Sequence, residues 1–517
     1  MSFNRITTNV LATYTQTFIG IVVGLFCSRW VYLALGEVKF GLFALVGALI
    51  GFVGFINSLM VGSTARFFAV ALGEQRRVNN SEQNNILNQW FNVALSVQCV
   101  MPAILITVGY PIGIYFIRNV LTIPTEHLQA CVWVFRFSLL TAFFSMVNVP
   151  FNAIYTAKQL IFIRNLFGVL QTFVWAAEGW WLLHYDGNRL VAHAIAMMIL
   201  TSTLYLSMAG LALATFSECK IKLKYWFDAQ KLKELFSYAS FTLFGSLGNL
   251  FATSGVAMVV NAFFGPAMNA AIGIGTQISQ KTAILSQALT LAIQPEIATR
   301  IGAKEAQRAN SLGIRASFYA VSLYMLVLLP IIFYMHDILK LWLKIPPTYA
   351  YYFANIMLVE AVILQLTCGY MILIHATGRI KAYQTTLGAL HMSTILLVWI
   401  LLKSEVNVVA SLAIGWILPK MLITSGRVLF AKKLLAIEMK QVFLGVLLPV
   451  AAIFIASLVV CSMTRLTIAN RLLGFFTTLT LNCATVGSLF CLLLNSGERE
   501  NLYKALNKLK QKTVRSY

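Results

Sequence analysis

The chain has 517 residues, of which 59% are hydrophobic and only 11% charged, with a mean hydropathy of +0.78. A soluble domain carries about 25% charged residues, so a soluble enzyme of this length is excluded, as are fibrous and disordered classes. The formal net charge of +22 is spread between long apolar stretches. It is therefore read as membrane orientation rather than as a nucleic-acid footprint.

A membrane-crossing helix needs about 20 apolar residues. On that length and on hydropathy the sequence predicts fourteen: at about 10–35, 40–72, 88–109, 128–155, 162–184, 190–216 and 238–263, then 268–293, 312–336, 350–375, 382–402, 408–430, 442–463 and 472–494. The fold class is an all-α polytopic membrane protein. Arg5 precedes a long first span with no small-residue cleavage pattern, so that span is expected to anchor. With the N-terminus inside, the outer segments hold only Lys39, Arg118, Arg189, Lys340, Lys344, Lys403, Arg465 and Arg471. Most of the 39 Lys and Arg then lie on the inner side, which predicts that both termini are cytoplasmic. Two basic, amphipathic segments, 220–238 and the tail with Leu502, Leu506 and Leu509 on one face, are expected as helices on the anionic inner leaflet.

Laid on itself in one constant register, the chain pairs Thr13 with Thr242, Thr17 with Ser246, Gly36 with Gly265 and Gly73 with Gly302. In that register the second helix carries a small-residue stripe, Ala44, Gly47, Gly51, Gly54, Ser58 and Ala65. The eighth carries Gly273, Thr276, Gln280, Ala283, Gln287 and Gln294. An offset of six spans preserves topology, so the halves are expected to be parallel repeats about an axis along the membrane normal, an arrangement that places transport sites between halves. Small stripes also serve ordinary helix packing. The amides Gln280, Gln287 and Gln294 are costly against lipid and suit a wet cavity.

Charges inside the spans point the same way. Lys281 lies near the middle of its helix, beside Gln277 and Gln280, where a lysine costs roughly 2.5–3.5 kcal/mol on insertion scales. Arg29 and Arg136 lie near outer helix ends, within snorkelling reach of the surface, and Arg66 and Arg300 near inner ends. Lys420 follows Pro419 with no evident partner. Glu178 and Glu360 are candidates for proton or ion coupling, or else ion-pair partners. A polar, net-positive interior suits an anionic substrate, above all a phosphate. Pro150, Pro266, Pro295 and Pro419 are expected bend points. The eight cysteines show no CxxC, and buried free thiols are expected. With six His and three Asp in the chain, no metal-ligand pair, phosphate loop or nucleophile motif is present, so no catalysis, metal or cofactor is expected.

Several stretches together carry a family likeness: SRWVYLALGEVKFG at 28–41, FINSLMVGSTARFFAVALGE at 55–74, NVPFNAIYTAKQL at 148–160, KLKELFSYAS at 231–240, VNAFFGPAMNAAIGIGTQI at 260–278, ALTLAIQPEIATRIGAKE at 288–305 and HATGRIKAYQ at 375–384. In combination they resemble the polysaccharide (O-antigen-type) flippases of the multidrug/oligosaccharidyl-lipid/polysaccharide (MOP) exporter superfamily, over most of the chain up to about residue 400. The resemblance implies two pseudo-symmetric, MATE-like six-helix lobes around a central cavity, at 1–216 and 238–432. A linker at 217–237, two added helices at 433–496 and a basic tail at 497–517 complete the expected organisation. It further implies alternating access that moves a polyprenyl-pyrophosphate-linked oligosaccharide from the inner to the outer leaflet of a bacterial inner membrane. The expected partners are that lipid-linked oligosaccharide, membrane lipids, polysaccharide-assembly proteins and a coupling ion, H+ or Na+, with no nucleic acid. By position Arg29, Arg66 and Lys281 would inherit the pyrophosphate-holding role, with Gln277, Gln280 and Gln287 lining the cavity. The chain departs from the family pattern at Ile272, where many relatives have Arg, and at Gln294, where they have Asn. Three rival functions are weighed. A MATE-like drug or cation antiporter would be expected to carry a membrane-buried carboxylate in the first helix, and a membrane glycan polymerase or ligase a large catalytic outer loop; the sequence shows neither. A receptor or scaffold without transport is not excluded by the sequence but gains nothing from the repeat.

Overall fold

The computed structural model describes residues 3–77, 84–158, 160–302, 305–494 and 498–500. The expected tail helix, with Leu502, Leu506 and Leu509, lies outside them. The described residues form helices α1 (Phe3–Arg77), α2 (Asn84–Tyr115), α3 (Thr125–Val147), α4 (Val149–Ala157), α5 (Ile161–Leu183), α6 (Arg189–Thr215), α7 (Ala229–Leu250), α8 (Val256–Phe264) and α9 (Pro266–Gly302). They continue with α10 (Ala306–Leu343), α11 (Ala350–Gln365), α12 (Cys368–Ala376), α13 (Lys381–Lys403), α14 (Val408–Leu435), α15 (Met439–Val442), α16 (Leu448–Thr467) and α17 (Arg471–Leu493). No strand occurs among them. In lipid every backbone group must be satisfied within its own segment, which is why a chain this apolar folds entirely as helices.

Eleven of these helices are long and apolar enough to cross a membrane, or twelve if the pair α11–α12, bent by 46°, is one span. The chain is thus a multi-pass membrane protein. The expected fourteen exceed that count at two places. One is α1, where Thr15–Gly51 counts once but the sequence divides at Gly36. The other is α9, whose amides and lysine lower its apolarity although its 37 residues are ample in length.

Gly36 breaks α1 with φ 73° and ψ 172°, and Gly265 ends α8 with φ 76° and ψ −171°. This region of backbone space is essentially confined to glycine. The two residues are partners in the repeat register, and they share one unusual conformation. Past each break the partner segments touch. A Cβ on Gly41 would collide with the carbonyl oxygen of Pro266 and lie 3.2 Å from the nitrogen of Ala270, its own register partner. A Cβ on Gly273 would lie 3.5 Å from that of Ala44, again its register partner. Both contacts set the first turns of α9 directly against α1.

By packing, the chain divides into two units: residues 1–274, 342–350 and 384–415, and residues 275–341, 351–383 and 416–517. In the first, Phe68, Phe91, Phe151, Tyr155 and Phe216 form an aromatic core, with edge-on contacts between Phe91 and Phe151 and between Tyr155 and Phe216. In the second, α16 packs on α17, and Asn482 donates to the carbonyls of Met325 and Leu326 on α10.

The basic segment expected as one surface helix over 220–238 is not one. Residues 217–219 and 223–225 are single 3-10 turns, and helix begins only at Ala229, with Asp228 capping it by accepting from the Lys231 backbone N–H. The reason lies in α2. Asn88 donates to the carbonyls of Glu218 and Lys220, and Asn92 donates to Lys220 and accepts from the backbone N–H of Lys222. These bonds take backbone groups that a helix would need for itself. The prolines also differ from expectation. Pro150 and Pro266 stand at helix starts, while α9 and α14 run unbroken through Pro295 and Pro419. The 46° break between α11 and α12 contains no proline. The eight cysteines form no disulfide; four are buried as expected, but Cys27, Cys99 and Cys483 are only half-buried and Cys491 is exposed.

Candidate functional site

The candidate site is built on α9. Between Pro266 and Pro295 its only charged residue is Lys281, about 22 Å from the helix start and about 31 Å from its end at 1.5 Å per residue. One face of α9 packs within the second unit. Ser279 donates to the Met357 carbonyl at 3.3 Å, Gln365 at the end of α11 donates to Ser286 at 3.0 Å, and a Cβ on Gly275 would meet the backbone of Ala354. Small and hydroxylic residues let α11 approach closely here. The amides lie elsewhere: Gln280, Gln287 and Gln294 are exposed, and Gln277 and Lys281 half-buried. Steps of seven residues drift by only about 20°, so the three exposed amides form one stripe. Gln277 and Lys281, four residues apart, are neighbours at its border. Ordinary helix packing therefore accounts for the hydroxyl face and not for the glutamines.

Arg29 is half-buried on α1 in the first unit and makes no ion pair among the described residues. The side chain of Arg66 lies outside what the structure describes. Arg136 is not simply reaching for the surface. Its Nε donates to the Tyr110 hydroxyl at 2.9 Å and its guanidinium lies 4.8 Å from the Trp133 ring centre.

Both intramembrane acids have partners in their own unit. On α5, Glu178 is fully buried with Oε1 2.8 Å from Nδ1 of His193 on α6, and its Oε2 has no hydrogen-bond partner. Phe43 of α1 closes over the imidazole at 4.5 Å between ring centres. At that distance the two side chains are hydrogen-bonded to each other. In the second unit Lys420, 2% exposed, pairs with Glu360 at 3.1 Å. The sequence alone leaves Lys420 without a partner; the fold supplies one from α11, three helices earlier in the chain.

Sequence reasoning missed two groups. His193 is one of six histidines, and nothing local marks it. Arg427, near the C-terminal end of α14, is buried and donates to the Leu364 carbonyl at 3.2 Å and to Thr367 Oγ1 at 3.4 Å, at the break between α11 and α12. It adds a second donor to a carbonyl that also accepts from the Thr367 backbone N–H at 3.4 Å. The only available signal was an arginine in an apolar helix.

No protein-family model matches the chain, and no curated protein matches it by sequence. Solved structures do match. The lipid II flippase MurJ, in an inward closed conformation, aligns with a TM-score of 0.69 at 13% identity, covering 93% of this chain and 98% of that one. A multidrug resistance MATE family transporter of the MOP superfamily, inward-facing, aligns with a TM-score of 0.65 at 14% identity over 81% of this chain and 94% of its own. A MOP superfamily transporter from Pyrococcus furiosus, described as having a binding pocket of reversed polarity, aligns at 0.61 and 14% over 83% and 95%. Over nearly its whole length, the chain therefore has the all-helical, multi-pass membrane fold shared by MurJ and the MATE transporters of the MOP superfamily.

Proposed function

We propose that this protein is a flippase that carries a polyprenyl-pyrophosphate-linked oligosaccharide from the inner to the outer leaflet of a bacterial inner membrane, for surface polysaccharide assembly. The observation that carries the reading is α9: a long helix whose amide stripe is excluded from packing and whose lone charge between Pro266 and Pro295 is a lysine. A pyrophosphate diester does not cross a hydrocarbon core about 30 Å thick unaided. A cation and amide donors give it hydrogen bonds in place of its water. Lys281 is assigned the pyrophosphate, with Arg29 and Arg66 as further cations and Gln277, Gln280 and Gln287 as donors to phosphate or sugar. The lobes are 1–216 and 238–432, alternating access moves one against the other, and both termini are cytoplasmic. The polyprenyl tail stays in lipid throughout.

The Glu178–His193 pair is assigned to proton coupling. It is buried, and the second carboxylate oxygen of Glu178 has no hydrogen-bond partner. Glu360 is assigned a structural role, because Lys420 already neutralises it. A cation antiporter of the same fold would be expected to carry a membrane-buried carboxylate in the first predicted span, and residues 10–35 contain neither Asp nor Glu.

The test is complementation of a deletion strain. Lys281→Ala is expected to abolish surface polysaccharide and leave the lipid-linked precursor in the inner leaflet at unchanged protein level, while Lys281→Arg restores export. Normal polysaccharide in the alanine strain refutes the site. Normal polysaccharide in the deletion strain itself, with altered drug resistance, refutes the function in favour of an antiporter.

A further inference from the structure

Away from α9, the first unit contains a groove of about 790 Å³, lined by α1, α2, α3, α7, α8 and α13. That volume is within the range of small-molecule sites, about 300–1,000 Å³. Its lining is apolar throughout, with the Trp399 indole nitrogen as the one polar side-chain group. The groove is open along one side, where Ile112, Phe263 and Trp399 remain exposed. Two π-helical turns shape it: Phe116–Val120 after α2 and Phe251–Gly255 between α7 and α8, each contributing its first and last residue to the lining. Such turns are rare and recur at functional sites. Here the extra residue per turn widens each helix where the groove needs room.

Cations stand at one end. The Lys403 ammonium lies 5.0 Å from the ring centre of Trp399, and exposed Arg118 is carried by the first π-turn. Glu405 follows Lys403 by two residues but forms no ion pair with it among the described residues. The cations coincide with the ends of α2, α8 and α13, where Trp and Lys in membrane proteins mark headgroup level.

We propose that this groove binds one hydrocarbon chain of an anionic bilayer phospholipid, with the phosphate at Lys403 and Arg118. An apolar groove exposed on a membrane protein does not fill with water. The chains that surround it fill it by mass action, so the occupant is the abundant bilayer lipid rather than the scarce polyprenyl carrier. The cations select anionic headgroups. A seated chain braces α2 and α3 against α7, α8 and α13. The proposal is independent of what the protein transports.

Gly109 provides the probe, because it lines the groove and a Cβ built on it meets nothing within 4 Å. Native mass spectrometry of the full chain, released from nanodiscs of equimolar phosphatidylglycerol and phosphatidylcholine, reads the bound lipid. The wild type is expected to retain one phosphatidylglycerol with at least fivefold preference. Gly109→Phe, with unchanged helicity by circular dichroism, is expected to lose it. Lys403→Ala, a change at an exposed position, is expected to retain a lipid with the preference gone. Retention and preference unchanged in Gly109→Phe overturn the site, and preference unchanged in Lys403→Ala overturns the headgroup assignment. Displacement of phosphatidylglycerol by equimolar polyprenyl phosphate overturns the choice of occupant.

Discussion

Three glycines on α1 face three different physical situations, and their alanine variants should separate accordingly. At Gly41 a Cβ would stand 2.8 Å from the Pro266 carbonyl carbon, besides colliding with its oxygen. These are backbone atoms in the first turn of α9, so no rotamer change relieves the clash and the two helices must part. Overpacking of this kind costs about 1–3 kcal/mol, and more where the neighbour is rigid. At Gly36 a Cβ meets nothing within 4 Å, so the cost comes entirely from the backbone at φ 73°, of order 1–3 kcal/mol. Gly265 shares that conformation and that empty space, and its alanine variant should lose the same amount. Gly47 also meets nothing within 4 Å but is helical, so alanine there should gain up to about 0.8–1.0 kcal/mol. Thermal unfolding in detergent, followed with a thiol-reactive dye that reports the buried Cys131, Cys219, Cys368 and Cys461, ranks the variants. Gly41→Ala and Gly36→Ala are expected to melt several degrees below wild type, Gly265→Ala with Gly36→Ala, and Gly47→Ala at or above wild type. A Gly41→Ala protein that melts with wild type, or Gly47→Ala falling as far, would refute the close approach of α1 to α9.

The buried pair in the second unit gives another outcome. Lys420→Ala strands Glu360 and is expected to cost about 3–5 kcal/mol, whereas the double change Lys420→Met with Glu360→Gln recovers most of it; a double-mutant cycle without coupling would refute the pair. Outside the membrane, burial alone would raise the Glu218 carboxyl, but the hydrogen bond and charge of Lys158 at 2.7 Å outweigh it and hold the group below its ordinary value. A carboxyl lowered in the folded state stabilises it above the unfolded value, near about 4.3, and that contribution is lost as pH falls through the folded value. Hydrogen exchange over residues 216–228 is therefore expected to rise as pH drops below about 4.3, after correction for intrinsic rates. Glu218→Gln should exchange faster at neutral pH and lack that further rise. A wild-type profile identical to that of Glu218→Gln would refute the linkage.

The sequence alone determined the helices. Runs of about 20 apolar residues in lipid have one way to satisfy their backbone, and most predicted segments fall within a few residues of α2 to α17. It also suggested a repeat register. Gly36 and Gly265 stood out as a matched pair because only glycine tolerates the conformation both adopt. The amide stripe on α9 was legible from spacing, since the helical period is a local property. Tertiary structure decided what meets what. His193 finds Glu178 from the next helix, Lys420 finds Glu360 across two intervening helices, and Arg427 reaches the break after Gln365. None of these pairings has a local signature, because the partners are set by packing between distant segments. The linker after α6 looked helical by its own pattern and was drawn into turns by Asn88 and Asn92 of α2. Periodicity carries how a segment coils, whereas the cost of burying an unpaired charge or backbone group is settled only by the neighbours the fold brings to it.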